Sequence, residues 1–185
     1  ANLELGLAGG QGGWTGEAVL FYRVDSDLVD WTYRRGVTAR SANAVNLATT
    51  GLEWVARRSW ARADVILGFN ALAKASDYRG AALDASFYAL NYARYRLTAA
   101  FVYRFNREWE LRLDNAARLQ ADNALRLIGG DEAVISAWGL SYRPKAFPRA
   151  RVTLRADNVW NSNFQEIPAV TAAPRLLSIG LTYGW

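Results

Sequence analysis

The chain has 185 residues, 51% of them hydrophobic, yet its mean hydropathy is only -0.09, so apolar residues must be interleaved with polar ones; no uncharged run approaches the roughly 18 residues of a membrane-crossing helix. The absence of Cys excludes disulfides and thiol chemistry, and the absence of His removes the usual general base and the commonest metal ligand, so no catalytic residue, metal site or cofactor is expected. A formal charge of +5 does not signal nucleic acid, because the 22 Lys and Arg residues are spread at strand spacing with no basic cluster.

Period-two alternation runs from one end of the chain to the other and predicts nine strands, at 2–8, 13–31, 44–60, 62–74, 90–105, 108–121, 132–143, 149–160 and 175–185. Between the first two lies Gly9-Gly10-Gln11-Gly12-Gly13, a turn rather than a phosphate cradle, since no helix follows it. In the second strand, Asp25, Asp27 and Asp30 lack calcium-loop spacing, and simple alternation places the first two on the polar face. Ala61–Arg62 make the next short turn. The strand at 90–105 sets Tyr95, Leu97, Ala99, Phe101, Tyr103 and Phe105 against Arg94, Arg96, Thr98 and Arg104. After the turn at Asn106–Glu108, Trp109, Leu111 and Leu113 oppose Glu110, Arg112 and Asp114, with Arg118 further along. Beyond Pro144–Pro148, Ala150, Val152, Leu154 and Ala156 oppose Arg151, Thr153, Arg155 and Asp157. The last segment shows the pattern best: Leu177, Ile179, Leu181, Tyr183 and Trp185 share one face, and small or polar residues share the other. A helix would scatter these sets around its circumference, whereas a strand separates them.

Short turns alternate with longer links near 32–43, 75–89, 122–131 and 161–174, the pattern of an all-β, antiparallel transmembrane β-barrel of the bacterial outer membrane. Trp14, Trp60, Trp109, Tyr183 and Trp185 fall near the short turns, where one membrane-interface girdle belongs; Trp31, Tyr33, Tyr92, Tyr95 and Trp160 approach the long links, where the other belongs. A soluble β-sandwich also alternates, but its strands are shorter and its largest aromatics sit mid-strand. With long loops outside the cell, the C-terminus is expected in the periplasm and Ala1 at the extracellular end. Nine strands leave edges that lipid cannot satisfy, so earlier strands are expected outside this stretch, which reads as a processed or excised piece.

The C-terminal segments resemble the end of a TonB-dependent outer-membrane receptor. Asp157-Asn158-Val159-Trp160-Asn161 is similar to that family's Asn-Leu-Phe-Asp segment, and Phe164-Gln165-Glu166-Ile167-Pro168 to its Tyr-Gln-Glu-x-Pro continuation. Pro174-Arg175, with Ser178 to Trp185, resembles the Gly-Arg and Gly-Leu-x-Tyr-x-Phe finish, although Trp stands where Phe is usual. Looser similarities are Asn2-Leu3-Glu4-Leu5-Gly6, Ala18 to Tyr22 with Asp27-Leu28-Val29, and Thr50-Gly51-Leu52-Glu53. The resemblance spans residues 1–185. It implies the last nine of about 22 barrel strands, with partners in the remaining strands, a plug domain, the TonB inner-membrane complex reached through that plug, outer-membrane lipid and a small-molecule nutrient. It further implies active uptake of a scarce nutrient such as a ferric siderophore; the alternative is a small self-contained barrel acting as a passive pore, adhesin or structural protein. The absent His disfavours a barrel enzyme.

The polar constellation of substance is the lumen-facing ladder Arg94, Arg96, Arg112, Asp114, Arg118, Arg151, Arg155 and Asp157, with Arg104 and Glu110. Arg presents a rigid fork to carboxylates or phosphates, which suits an anionic ligand, but pairing across strands or with a plug is the stronger expectation. In the long links, Asp77, Tyr78 and Arg79, and Asp131 with Glu132, are candidate ligand-gating residues.

Overall fold

The computed structural model describes residues 1–168 and 170–185, and every regular element in them is a β-strand. Nine long strands match the nine expected: β1 Asn2–Gln11, β2 Trp14–Tyr33, β3 Ser41–Ser59, β4 Ala63–Asp77, β6 Ala93–Arg104, β7 Trp109–Gln120, β8 Glu132–Tyr142, β9 Ala150–Asp157 and β12 Leu176–Tyr183. Three short strands lie in the long links: β5 Ala85–Ser86, β10 Gln165–Ile167 and β11 Val170–Thr171. Each long strand pairs antiparallel with the next in an up-and-down meander, β1-β2-β3-β4-β6-β7-β8-β9-β12; β5 joins β2, and β10 pairs with β11. Among the described residues β1 and β12 do not pair with each other, so the sheet is open.

Register carries the alternation of each strand into its neighbours. Ala63 pairs with Tyr103, Tyr103 with Leu111, Leu111 with Leu140, Leu140 with Leu154, and Leu154 with Ile179, an apolar row across six strands. One residue along, Arg104 pairs with Glu110, Glu110 with Ser141, Ser141 with Thr153, and Thr153 with Gly180 on the opposite face. A slip of one residue would put arginines among the leucines, so the pattern itself fixes the register. The apolar face is open to its surroundings, with Leu7 and Ile179 each 74% exposed.

The four short connections are built for their positions. Gly12 and Gly13 both have positive φ, 60° and 81°, which a two-residue hairpin of matching twist requires between Gln11 and Trp14. Asn106 Oδ1 accepts the amides of Glu108 and Trp109 at 2.9 and 2.8 Å and closes the β6–β7 turn. The buried side chains gather at the other end, under the long links: Val45, Leu47, Tyr78, Ala85, Phe87, Ala121, Ala133 and Phe164, with Asp30, Gln120, Arg126, Asn158 and Gln165 among them.

Two bulges correct the simple alternation. Between Asp25 and Leu28 the β2–β3 register shifts, with Asp27 at φ 58°, so Asp27 belongs to the bulge rather than to the polar face. Past it, the polar face of β2 passes from odd to even positions, and Asp30 joins that face with Val45 and Leu47 of β3. A second shift between Ala93 and Tyr95 places Arg94 in a bulge of β6.

Candidate functional site

The long-link end is a layer of loops held by two buried charged groups. The first is Asp30, 1% exposed, which the β2 bulge directs under the β4–β6 link. Its carboxylate accepts the Tyr78 hydroxyl at 2.8 Å, the Ser86 hydroxyl, and the amides of Tyr88 at 3.2 Å and Ala89 at 3.4 Å. β5 adds to the same hold by pairing Ser86 with Thr32 and Ala85 with Tyr33. Arg79, with φ 54°, bonds Asp27 in the bulge, and Asp77 accepts the Arg79 amide at 2.8 Å. Burial pushes the Tyr78 phenol up to about 12; the Ser86 hydroxyl opposes that shift and the Asp30 carboxylate adds to it.

The second group is Arg126, whose side chain is 1% exposed. Its guanidinium donates to the carbonyls of Ala121 at 3.0 Å and Gln165 at 3.2 Å, to Asn91 Oδ1 at 2.7 Å, and to the Asp131 carboxylate. Gln165 returns the contact by accepting the Leu127 amide at 3.0 Å. The Glu166 carbonyl accepts both Asn91 Nδ2 at 2.6 Å and Gln120 Nε2 at 3.1 Å, while Asn123 Nδ2 reaches the Ser86 carbonyl at 2.7 Å. Three links, β4–β6, β7–β8 and β9–β12, are thereby tied into one polar network. A buried guanidinium must find acceptors for its donors, and here they come from three separate segments.

Within β9–β12, Asn158 (φ 46°) donates to the carbonyls of Ser162 at 3.0 Å and Ala173 at 2.9 Å and accepts the Ser162 amide at 2.8 Å. Asn161 (φ 53°) accepts the Arg175 amide at 2.9 Å, so both asparagines supply left-handed corners and local bonds. The Phe164 ring lies 4.1 Å under the Arg118 guanidinium, which also meets Glu166 at 2.7 Å.

Below the loops, the polar face carries the ladder. Arg112 pairs with Asp114 at 2.7 Å and Arg155 with Asp157 at 2.8 Å, each two residues along its own strand rather than across strands. Arg151 bonds Glu110 and the Ser141 hydroxyl, both at 2.9 Å. Arg104 bridges Asp64 and Glu110. Arg94, in its bulge, lies 3.9 Å from Asp122. Arg96 makes no ion pair among the described residues; it lines a shallow recess with Glu53, Asn70 and Thr98, where the Asn70 side-chain oxygen is also without a partner. A larger hollow of about 470 Å³ lies beneath the β4–β6 link, walled by Phe21, Arg23, Asp25, Leu72, Lys74 and Tyr88, a size suited to a small molecule. Sequence alone did not single out Arg23, Lys74, Tyr88, Asn91, Gln120 or Arg126, which converge only because loops from distant strands fold over one end.

On the apolar face, Trp14 meets Trp60 edge-on at 6.1 Å and Trp109 stacks on Tyr142 at 4.5 Å beside the short turns. Tyr183 and Trp185 at the end of the chain are exposed. At the long-link end Trp160 meets Trp138 edge-on at 6.1 Å and donates its indole N–H to the Ser136 hydroxyl at 2.6 Å. Tyr92 leaves this set, its ring lying 4.9 Å from the Lys74 ammonium on the polar side.

At the level of sequence, no family model and no curated protein matches the chain. Solved structures do match. The FrpB iron transporter from Neisseria meningitidis in its apoprotein form aligns over 98% of this chain and 30% of its own, at 17% identity and a TM-score of 0.74. The copper transporter OprC aligns over 100% and 31%, at 12% identity and a TM-score of 0.69. The ferripyoverdine receptor of the Pseudomonas aeruginosa outer membrane aligns over 98% and 26%, at 12% identity and a TM-score of 0.69. The chain thus spans less than a third of the length of these proteins and matches them in their barrel part. Its fold is that of a run of antiparallel strands from the barrel of a TonB-dependent receptor.

Proposed function

We propose that the chain forms part of an outer-membrane receptor barrel that takes up a scarce nutrient, such as a ferric siderophore, by TonB-dependent active transport. The observation that carries this reading is the polarity of the sheet: one face aliphatic and open, the other lined by arginines, with loops knitted over one end only. In water the open aliphatic face would leave an apolar patch far larger than a soluble monomer tolerates, and lipid removes that cost. On the same reading the long links face outward from the cell and Trp185 lies at the periplasmic rim. The polar face surrounds a plug domain, and the plug reaches the inner-membrane TonB complex.

The ladder divides in two under this proposal. Arg112, Arg151 and Arg155 already hold carboxylates and serve as scaffold. Arg96, beside the unpartnered Asn70 oxygen, is available to a plug residue or an anionic ligand. The hollow bounded by Arg23, Lys74 and Tyr88, under a loop latched by one carboxylate, is the surface offered to the nutrient.

The test is uptake of labelled ferric chelates by cells carrying the full-length protein. Accumulation that stops when the inner-membrane proton gradient is collapsed is the expected result. Permeation that continues without that gradient would show a passive pore and overturn the proposal.

A further inference from the structure

On the apolar face near the first hairpin, Gly9 pairs with Gly16, Gly16 with Ala56, and Ala56 with Leu67. Three neighbouring positions with no more than a methyl group interrupt an otherwise aliphatic surface. The result is a groove of about 600 Å³, closed toward the turn by Gln11 and Trp14 and on its other side by Trp54 and Leu67. Outside Gly9 and its two chain neighbours, no atom of the described residues lies within 4 Å of where a Gly9 side chain would begin.

Arg58 stands at one end of this groove. It is two residues beyond Ala56 on the same face of β3 and is the register partner of Trp14. Its guanidinium lies 5.7 Å from the Trp14 ring centroid and 4.6 Å from that of Trp60. Among the described residues it is the only cation that strand register places on the apolar face. Its neighbour Arg57, on the polar face, pairs with Glu17 at 3.2 Å, whereas among the described residues Arg58 makes no ion pair. Both indoles, set edge-on to each other, lie within cation–π reach of the group, and no side-chain hydrogen bond engages its N–H groups among the described residues. A cation in apolar surroundings needs an anion, and the anion found at the depth of an aromatic girdle is the phosphate of a lipid headgroup.

We propose that this end of the apolar face seats one anionic phospholipid of the short-turn leaflet, its phosphate on Arg58 and an acyl chain in the groove over Gly9 and Gly16. The proposal rests on the membrane reading above. Charge chooses the headgroup and the missing side chains admit the tail, so each half of the site can be removed separately.

The experiment uses full-length protein in neutral detergent, titrated with phosphatidylglycerol or with phosphatidylcholine of the same acyl chains, with retained lipid counted by native mass spectrometry. Wild type is expected to retain one phosphatidylglycerol about tenfold more tightly than phosphatidylcholine. Arg58→Gln should abolish that preference. Gly9→Phe, which keeps Arg58 and fills the groove, should lower retention of both lipids. Unchanged retention in either variant overturns the site, as does displacement of the lipid by millimolar inorganic phosphate, which would mean a bare anion site without a chain seat. Wild-type protein that does not float with lipid vesicles would overturn the membrane reading; protein that floats but retains no lipid selectively would overturn the lipid site alone.

Discussion

Asp30 accepts four hydrogen bonds in a setting almost closed to water, and all four donors belong to a single link. Asp30→Ala would leave those donors buried without an acceptor, at about 1–3 kcal/mol for each that stays dry. The expected outcome is release of the β4–β6 link with the strands intact, seen as trypsin cleavage after Arg79 in folded full-length protein; resistance equal to wild type would contradict it. Tyr78 reports the same latch through pH. Its folded pKa is raised from 10.0 to about 12, so its contribution is complete below pH 10 and is lost as pH rises through 12. An ultraviolet titration should therefore show one late-ionising tyrosine that is missing in Tyr78→Phe. Period-two alternation could not find this latch, because the Asp25–Leu28 bulge reverses the parity on which the assignment depends. The carboxylate looked like the odd one of three acidic residues until the bulge placed it.

At the scale of elements, strands and loops differ in how much of them the sequence discloses. Each strand carries its own evidence, since the side it buries is written every second residue, and the nine long strands lie where alternation put them. Loop corners are partly legible: Asn158 and Asn161 stand in a stretch singled out by resemblance, and their positive φ and local bonds explain why Asn occupies those places. Their tertiary partners are not. Nothing near Arg126 announces that Asn91 and Gln165 will meet it, because the contact depends on three strand ends arriving together. Gly129 exposes this dependence. It has φ 80°, and a Cβ there would lie 2.0 Å from the Asn163 carbonyl oxygen and 2.5 Å from Phe164 Cα. Main chain cannot swing aside, so Gly129→Ala should part the β7–β8 link from the β9–β12 link and expose Arg126 to trypsin. Gly130, with φ 67° and nothing within 4 Å, is the control. Gly130→Ala should cost only backbone strain of about 1–2 kcal/mol and leave the network protected. Equal sensitivity of the two variants would show that conformation, not contact, governs this corner.

Across the whole molecule, the two ends of the sheet are built on opposite principles. At one end the connections are short, from two residues between β1 and β2 to seven between β8 and β9, with tryptophans beside them. At the other they are long, buried in part, and tied by charges whose partners all lie within the loop layer and the strand ends beneath it. On the proposed membrane reading that asymmetry takes a direction, with the short turns toward the periplasm and the layered loops toward the outside. The direction is open to a direct test: these 185 residues hold no Cys, and any Cys elsewhere in the full-length protein is first replaced by Ser. Leu127→Cys samples the exposed tip of the β7–β8 link, and Arg107→Cys samples the β6–β7 turn. In intact cells carrying the full-length protein, a membrane-impermeant maleimide should label position 127 at once and position 107 only after the outer membrane is opened. The reverse pattern would invert the barrel and place the arginine-rich turn hollow around Arg62, Arg104, Arg107 and Arg143, rather than the Asp30 latch, toward the cell's surroundings. The latch would then close over the periplasm, where it could not meet an incoming nutrient.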